Sequence, residues 1–121
     1  ITADCPLLDP RIVQTVLLEF NRGGCDYCSN VHPTTYPDGL DVEVIGIGAL
    51  ERAWLEAADP FEREHVTPYI WRRPEEFKLR NVADDTDRSD LRWTVDTATD
   101  LESARVLLAR QRPSTDYRKL L

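Results

Sequence analysis

Several things that would declare a function outright are scarce in this chain. Basic residues are few: 15 Lys and Arg stand against 22 Asp and Glu, for a formal net charge of −7. A surface built to hold nucleic acid needs the opposite sign, so that class is excluded as the main function. One small phosphate ligand is still allowed, because a metal ion or a helix N-terminus can neutralise it locally. No run of about 18 apolar residues occurs, so no membrane-spanning helix is expected. No secretory leader is visible. Cysteines number 3, an odd count that gives no disulfide framework and fits a reducing, cytoplasmic setting. Cys25 and Cys28 form a C-x-x-C, but a structural zinc usually takes about four ligands. The others on offer are Cys5, His32 and His65, with no second C-x-x-C and no H-x-x-x-H. The pair is read as unligated thiols at the start of a short strand. A Gly-rich phosphate loop between strand and helix is also missing, since Gly23-Gly24 follows a helical pattern and stops it.

What is present is a chain of 121 residues with the apolar and charged content of an ordinary globular domain. Residues 1–3 read as the end of a strand. Asp9-Pro10 is a helix start, with Asp as cap and Pro in the first turn. Ile12, Val13, Val16, Leu17 and Phe20 then share one helical face. A short strand is expected over 26–31. The loop from His32 leads into an alternating strand, with Val42 and Val44 on one side. Ala49–Ala58 reads as a helix with Leu50, Trp54 and Leu55 as its apolar positions. Pro60 breaks it, and a short helix should end near Val66, since Pro68 disfavours helix before it. Strands are expected over Phe77–Val82 and Leu91–Val95, with a solvated acidic turn over 83–90. A helix over Thr97–Gln111 carries Leu101, Ala104, Leu107 and Leu108. Arg72-Arg73 reads as a solvated turn, and Trp54, Trp71 and Trp93 as core or interface aromatics. Alternating strands and helices argue an α/β layer architecture.

Three stretches are distinctive together: TADCPLLDP at 2–10, YPDGLDVEV at 36–44 with REHVTPYI at 63–70, and LRWTVDTATDLESAR at 91–105. In this order they resemble the cytidylyltransferases of the spore-coat polysaccharide biosynthesis type, relatives of the enzymes that activate Kdo and acylneuraminate as CMP-sugars. The resemblance runs from Ile1 to about Leu108. It implies a Rossmann-like nucleotidyltransferase fold, three-layered α/β/α, of which residues 1–121 would be the C-terminal part. The tail, 112–121, is expected to be loosely ordered. The implied function is transfer of CMP from CTP to a sugar for surface polysaccharide. This chain alone would be inactive, because the family's nucleotide loop lies in the other half. The alternative is a non-catalytic module that dimerises or binds a sugar nucleotide.

The resemblance also assigns roles. Asp4 and Asp96 match the family's two magnesium aspartates and would carry the catalytic metal. Asp38, Gly39, Asp41 and Glu43 match the segment facing the acceptor sugar, and Glu64, His65 and Thr67 a signature near the same pocket. CTP and a sugar acceptor are the implied partners, with no nucleic acid and no membrane, in a homodimer formed through roughly residues 36–80. Magnesium suits the chemistry, because it prefers one or two carboxylates plus phosphates and waters. Neither aspartate has a basic neighbour in sequence, so the two would repel unless a cation sat between them. Each residue also has a plainer reading. Asp4 can end a strand, Asp96 can begin a helix, Asp38-Gly39 is a turn dipeptide, and His65 can be a structural hydrogen-bonding residue.

Overall fold

The first helix shows how local sequence sets an element. In the computed structural model, which describes residues 1–110 and 116–121, α1 runs Pro10–Asn21. The Asp9 carboxylate accepts from the Arg11 backbone N–H at 2.9 Å, and Pro10 sits where no amide donor is needed. Gly23 and Gly24, both at φ 78°, end the helix. Ile12 and Val16 face the core, while Leu17 is exposed.

Among the described residues the sheet has three short strands, β1 (Tyr27–Ser29), β2 (Glu43–Ile45) and β3 (Leu79–Asn81), in the order β2-β1-β3. β2 runs antiparallel to β1 with Val44 opposite Cys28, and β3 runs parallel with Arg80 opposite Cys28. The remaining helices are α2 (Ile47–Glu56), α3 (Pro60–His65), α4 (Pro68–Trp71) and α5 (Ala98–Arg110), and Tyr117–Lys119 forms a 3-10 turn. This is a mixed α/β fold around a small sheet. None of these helices is long and apolar enough to cross a membrane.

Successive side chains of a strand point to opposite faces, so β1 feeds two clusters. Cys28 joins Leu7, Ile12, Val16, Leu40 and Val42 on the α1 side. Tyr27 joins Ala49, Ala53, Tyr69, Ile70 and Phe77 on the side of α2 and α4. Val44 and Ile45 divide between the two clusters in the same way. Each buried side chain of the larger apolar kinds contributes roughly 1.5–3 kcal/mol.

The expected strands at residues 1–3 and Leu91–Val95 are not ladder strands. Residues 91–95 are held instead by an isolated bridge between Asp38 and Arg92 and by one bond to Asp4. The Val95 N–H donates to the Asp4 carbonyl at 2.9 Å and the Trp93 N–H to the Asp38 carbonyl at 2.7 Å. A ladder needs partners running side by side over several residues. Here residues 3–4 already turn, and the partner loop turns at Gly39.

α2 presents the opposite face from the one its large residues suggest. Ala49 and Ala53 are buried, whereas Trp54 is 68% and Leu55 72% exposed. The bulk of that cluster comes from Tyr69, Ile70 and Phe77, and only small residues leave room for α2 to approach it. In α5, Ala104 is buried and Leu107 partly so, while Leu101 and Leu108 are exposed.

Two expected solvated turns are anchors instead. Arg73 donates to the buried Glu62 carboxylate at 2.9 and 3.2 Å and lies 4.0 Å from the centre of the Tyr69 ring. In the acidic turn, the Asp84 side chain is 1% exposed, paired with Arg88 at 2.8 Å and Arg118 at 2.6 Å. The Tyr117 hydroxyl also donates to Asp84, and the Tyr117 N–H donates to Asp9 at 3.0 Å. The expectation of a loose segment over 112–121 thus meets a different arrangement in residues 116–121, where Tyr117 and Leu120 join the α1-side core. Residues 111–115 lie outside the described residues.

α3 ends at His65, close to the expected position, but the break is made by Val66 at φ 62° and ψ −61°, since Thr67 before Pro68 is itself helical. The Thr67 N–H donates to the His65 carbonyl at 2.7 Å, closing a γ-turn of the strained positive-φ kind. Such a conformation in a β-branched residue costs on the order of 1–3 kcal/mol. Val66→Gly should therefore raise the free energy of unfolding by about 1 kcal/mol, after allowing for glycine's freedom in the unfolded chain. Urea unfolding followed by circular dichroism measures this. A loss of stability would show that the valine's contacts outweigh its backbone strain.

Candidate active site

The loop from Asp38 to Val42 is fixed from both sides. Beneath it lies Asn30, fully buried, whose side-chain amide donates to the Leu40 carbonyl at 2.9 Å. Its side-chain oxygen accepts from the Val42 N–H at 2.7 Å. On the other side Gly39, at φ 101°, lies flush against the backbone of the 91–95 segment. A Cβ there would come within 2.8 Å of the Trp93 carbonyl carbon and 2.9 Å of the Thr94 nitrogen. Glycine is thus required twice at this position, for conformation and for space. The bond from Val95 to the Asp4 carbonyl brings in the third segment. Three separate stretches of sequence are stitched together, and each carries carboxylates.

Those carboxylates differ in character. Asp41 is half-buried, and burial, followed by the charges of Asp38, Glu43 and Asp4, pushes its pKa up to about 6. Asp4 is held below the usual carboxylate value, chiefly by the Thr2 hydroxyl. Glu43 accepts a hydrogen bond from the Tyr27 hydroxyl at 2.9 Å, and burial pushes that hydroxyl's pKa up, so it remains a donor.

A cation was expected between Asp4 and Asp96; the structure sets an arginine of the chain itself against Asp96, and this arginine makes no contact with Asp4. Arg92 is paired with Asp96, with Asp100 at 2.9 Å and with Asp38 at 4.0 Å. Asp100 is also fixed by backbone: its carboxylate accepts from the Thr97 N–H at 2.8 Å and the Asp96 N–H at 3.1 Å. Thr97 returns the favour by accepting from the Asp100 N–H at 3.2 Å, so the two close a capping box at the start of α5. Arg92 first, then these donors, hold the Asp100 carboxyl well below the usual range. Behind Arg92 a pocket of about 60 Å³ is lined in part by Thr94 and Asp100. The Thr94 hydroxyl is buried without a partner among the described residues, and the space suffices for a water.

Among the described residues no three of His, Cys, Asp and Glu converge closely enough to cage a metal ion. Hard oxygen donors at Asp4 and Asp96 suit a cation that takes its remaining ligands from phosphate and water. Glu64 and His65 are exposed on α3, with the His65 ring 4.5 Å from that of Phe61. Thr67 heads α4 without a side-chain cap bond. No hydrogen bond joins Glu64, His65 or Thr67 to the acidic loops among the described residues. Cys28 is buried in the α1-side core with its thiol pKa pushed up to about 11 by burial, and Cys25 is partly buried beside it. Sequence reasoning passed over Asn30 and Arg92. The signal for Arg92 was its spacing, four residues before Asp96 and eight before Asp100.

No family model matches the chain. Among solved structures it is similar to a cytidylyltransferase from Leptospira borgpetersenii serovar Hardjo-bovis, with a TM-score of 0.91 and 29% identity. The fold is cytidylyltransferase-like. The match takes in 99% of this chain and 52% of that one. The uncharacterized protein MJ1063 of Methanocaldococcus jannaschii is 34% identical over 104 residues, which are 84% of this chain and 42% of that protein. The chain thus spans about half the length of the proteins it matches.

Asp41 gives the site a pH signature. Its pKa is raised from 3.8 to about 6, so the folded state binds its proton more tightly than the unfolded state does. That contribution is fully present below about pH 4 and is lost as pH rises through about 6. Asp38, Glu43 and Asp4 face it and raise it, and the Ile1 amino group opposes them. Asp41→Asn should leave stability near pH 4 little changed and raise it by roughly 2 kcal/mol at pH 8. Denaturant titrations at the two pH values check this, and equal effects at both would show that Asp41 is not the titrating group.

Proposed function

We propose that this chain is part of a nucleotidyltransferase that moves CMP from CTP to a sugar, making a CMP-sugar for surface polysaccharide. The observation that carries the reading is the 0.91 TM-score to a cytidylyltransferase over 99% of the chain. The gathered carboxylates of Asp4, Asp38, Asp41 and Asp96 support it, because phosphoryl transfer rests on positioning and on charge stabilisation. The acceptor's hydroxyl oxygen attacks the α-phosphorus. The bond from that phosphorus to the β-phosphate oxygen breaks, pyrophosphate leaves with the electron pair, and the hydroxyl proton passes to a base. Asp4 and Asp96 would hold magnesium, which supplies charge neutralisation at the phosphates when bound. Asp38, Gly39, Asp41 and Glu43 form the wall offered to the acceptor. In this reading the fold belongs to a three-layer Rossmann-like domain, and the 121 residues by themselves do not turn over CTP, since they hold no Gly-rich phosphate loop.

Release of pyrophosphate from CTP with a panel of acid sugars tests the proposal, on this chain and on a longer chain that adds a nucleotide-binding loop. The longer chain should react, and Asp4→Asn in it should lower turnover about 100-fold or more. An inactive longer chain, or an Asp4→Asn variant that matches wild type, counts against the reading.

A second reading, a dimerising module without turnover, has its own observation. Between α2 and α3 lies an apolar cleft of about 380 Å³, lined in part by Ile47, Leu50, Ala53, Trp54 and Val66. Ile47 is 71% and Trp54 68% exposed, more apolar surface than a solitary face ordinarily leaves to water. Both readings take this face as a homodimer contact. Trp54→Asp should then shift the chain from dimer to monomer in sedimentation equilibrium, with its circular dichroism unchanged. A wild-type chain that is monomeric at high concentration removes the dimer from both.

A further inference from the structure

We infer that Arg92 is a built-in cation that occupies the Asp96 carboxylate in the metal-free state and must release it before a divalent ion can bind. The inference rests on the nucleotidyltransferase reading, which places the ion at Asp4 and Asp96. Its own basis is the geometry of one guanidinium.

Arg92 meets carboxylates on two sides. One is Asp96, 57% exposed, which bears no other side-chain contact among the described residues. The other is Asp100, 18% exposed, held by the Thr97 and Asp96 backbone amides as well as by Arg92 at 2.9 Å. Asp100 is therefore the fixed partner, and Asp96 the one free to turn away. Asp38, 4.0 Å from the guanidinium Nε, adds a third negative charge that keeps Arg92 in place when Asp96 leaves.

The consequence is quantitative. Carboxylates crowded at one edge repel each other, and a cation relieves the repulsion. Arg92 supplies that relief from within the chain, so an incoming ion competes with it for Asp96. An exposed ion pair is worth up to about 1 kcal/mol, which corresponds to roughly fivefold in affinity. Removing the guanidinium should tighten divalent-ion binding by about that factor. A residue that merely held the loop in shape would act in the opposite sense, because its loss would loosen the site and weaken binding.

The test is Mn²⁺ binding to the chain, followed by the electron paramagnetic resonance signal of the free ion, with no nucleotide present. Four proteins are compared: wild type, Arg92→Gln, Arg92→Lys and Asp96→Asn. Thermal unfolding and circular dichroism establish that each is folded. The inference expects weak binding in wild type, binding about fivefold tighter in Arg92→Gln, a return toward the wild-type value in Arg92→Lys, and loss in Asp96→Asn. Unchanged or weaker binding in folded Arg92→Gln, with binding still lost in Asp96→Asn, overturns the inference and leaves the metal reading standing. Binding that Asp96→Asn does not affect, or no binding by wild type or Arg92→Gln, overturns the metal reading and the inference with it. If Arg92→Gln does not fold, Arg92→Met, which also removes the charge, carries the test, and binding no tighter than wild type in that folded protein overturns the inference.

Discussion

The contact on which the candidate site depends is the flush approach of Gly39 to the backbone of Trp93 and Thr94. A single Cβ at 2.8 Å from a main-chain carbon would push the two segments apart, and main-chain atoms cannot swing aside as a side chain can. Everything acidic follows from that approach. It sets the bonds from Trp93 to Asp38 and from Asp38 to Leu91, and so brings Arg92 beside Asp38. Asn30 does the complementary work from below, giving the loop's Leu40 carbonyl and Val42 amide the partners that a buried turn otherwise lacks. The loop is thereby fixed so that the like charges of Asp38 and Asp41 stay near one another, which a mobile loop would relax by moving them apart.

Among the arginine–carboxylate clusters of the described residues, those at Asp84 and at Arg92 differ in their energetics and so in the work they can do. Around Asp84 the carboxylate is buried, with Arg88, Arg118 and Tyr117 all directed at it. Removing a partner there strands a charge in the interior, a loss of about 3–5 kcal/mol. That cluster can only be structural, and it fastens residues 116–121 to the start of α1 through Asp9. Around Arg92 the Asp38 and Asp96 carboxylates are half exposed, and solvent-exposed pairs of this kind contribute little. Bonds of that size can be exchanged for a ligand without endangering the fold, which is what the proposed metal site asks of Asp96.

Local signals in the sequence were good guides wherever a single element decided the outcome. Asp9-Pro10 starts α1, Gly23-Gly24 stops it, and Val42 and Val44 share a face because the strand period is two. Signals failed where a neighbour decided. α2 carries both a large apolar stripe and a small one, and periodicity alone cannot choose between them. The bulk of Tyr69, Ile70 and Phe77 across the interface chose the alanines. The carboxylates of the site were legible as residue types in distinctive stretches. Arg92 was not, because its partners lie eight and fifty-four positions away, at Asp100 and Asp38, as well as four away at Asp96. Asp84 looked like one of several acids in a solvated turn, and only the folded chain shows its partners arriving from Tyr117 and Arg118.

The stretch REHVTPYI can be understood in the same physical terms. Its polar side chains Glu64 and His65 face solvent, yet its backbone holds the positive-φ non-glycine residue of the described chain. Val66 takes a positive φ, and Thr67, directly before Pro68, is helical at φ −65° and ψ −29°. That conformation is disfavoured before proline, so two consecutive residues are held against their preferences. Such geometry persists only where the surroundings over-determine it. Here they do so from both ends. Asp59 caps α3 through the Phe61 and Glu62 amides, and the buried Glu62 is tied to Arg73 beyond α4. Tyr69 and Ile70 then fix α4 in the core. The result is a sharp corner that turns Val66 outward into the wall of the α2–α3 cleft. The stretch thus builds a corner that its surroundings hold: Glu62 before it and Tyr69 within it fasten the two short helices, and the valine lines the apolar face. The proposed chemistry and the proposed association thereby fall to different parts of one small fold, the carboxylates on loops beyond the sheet and the apolar cleft on the helices packed on it.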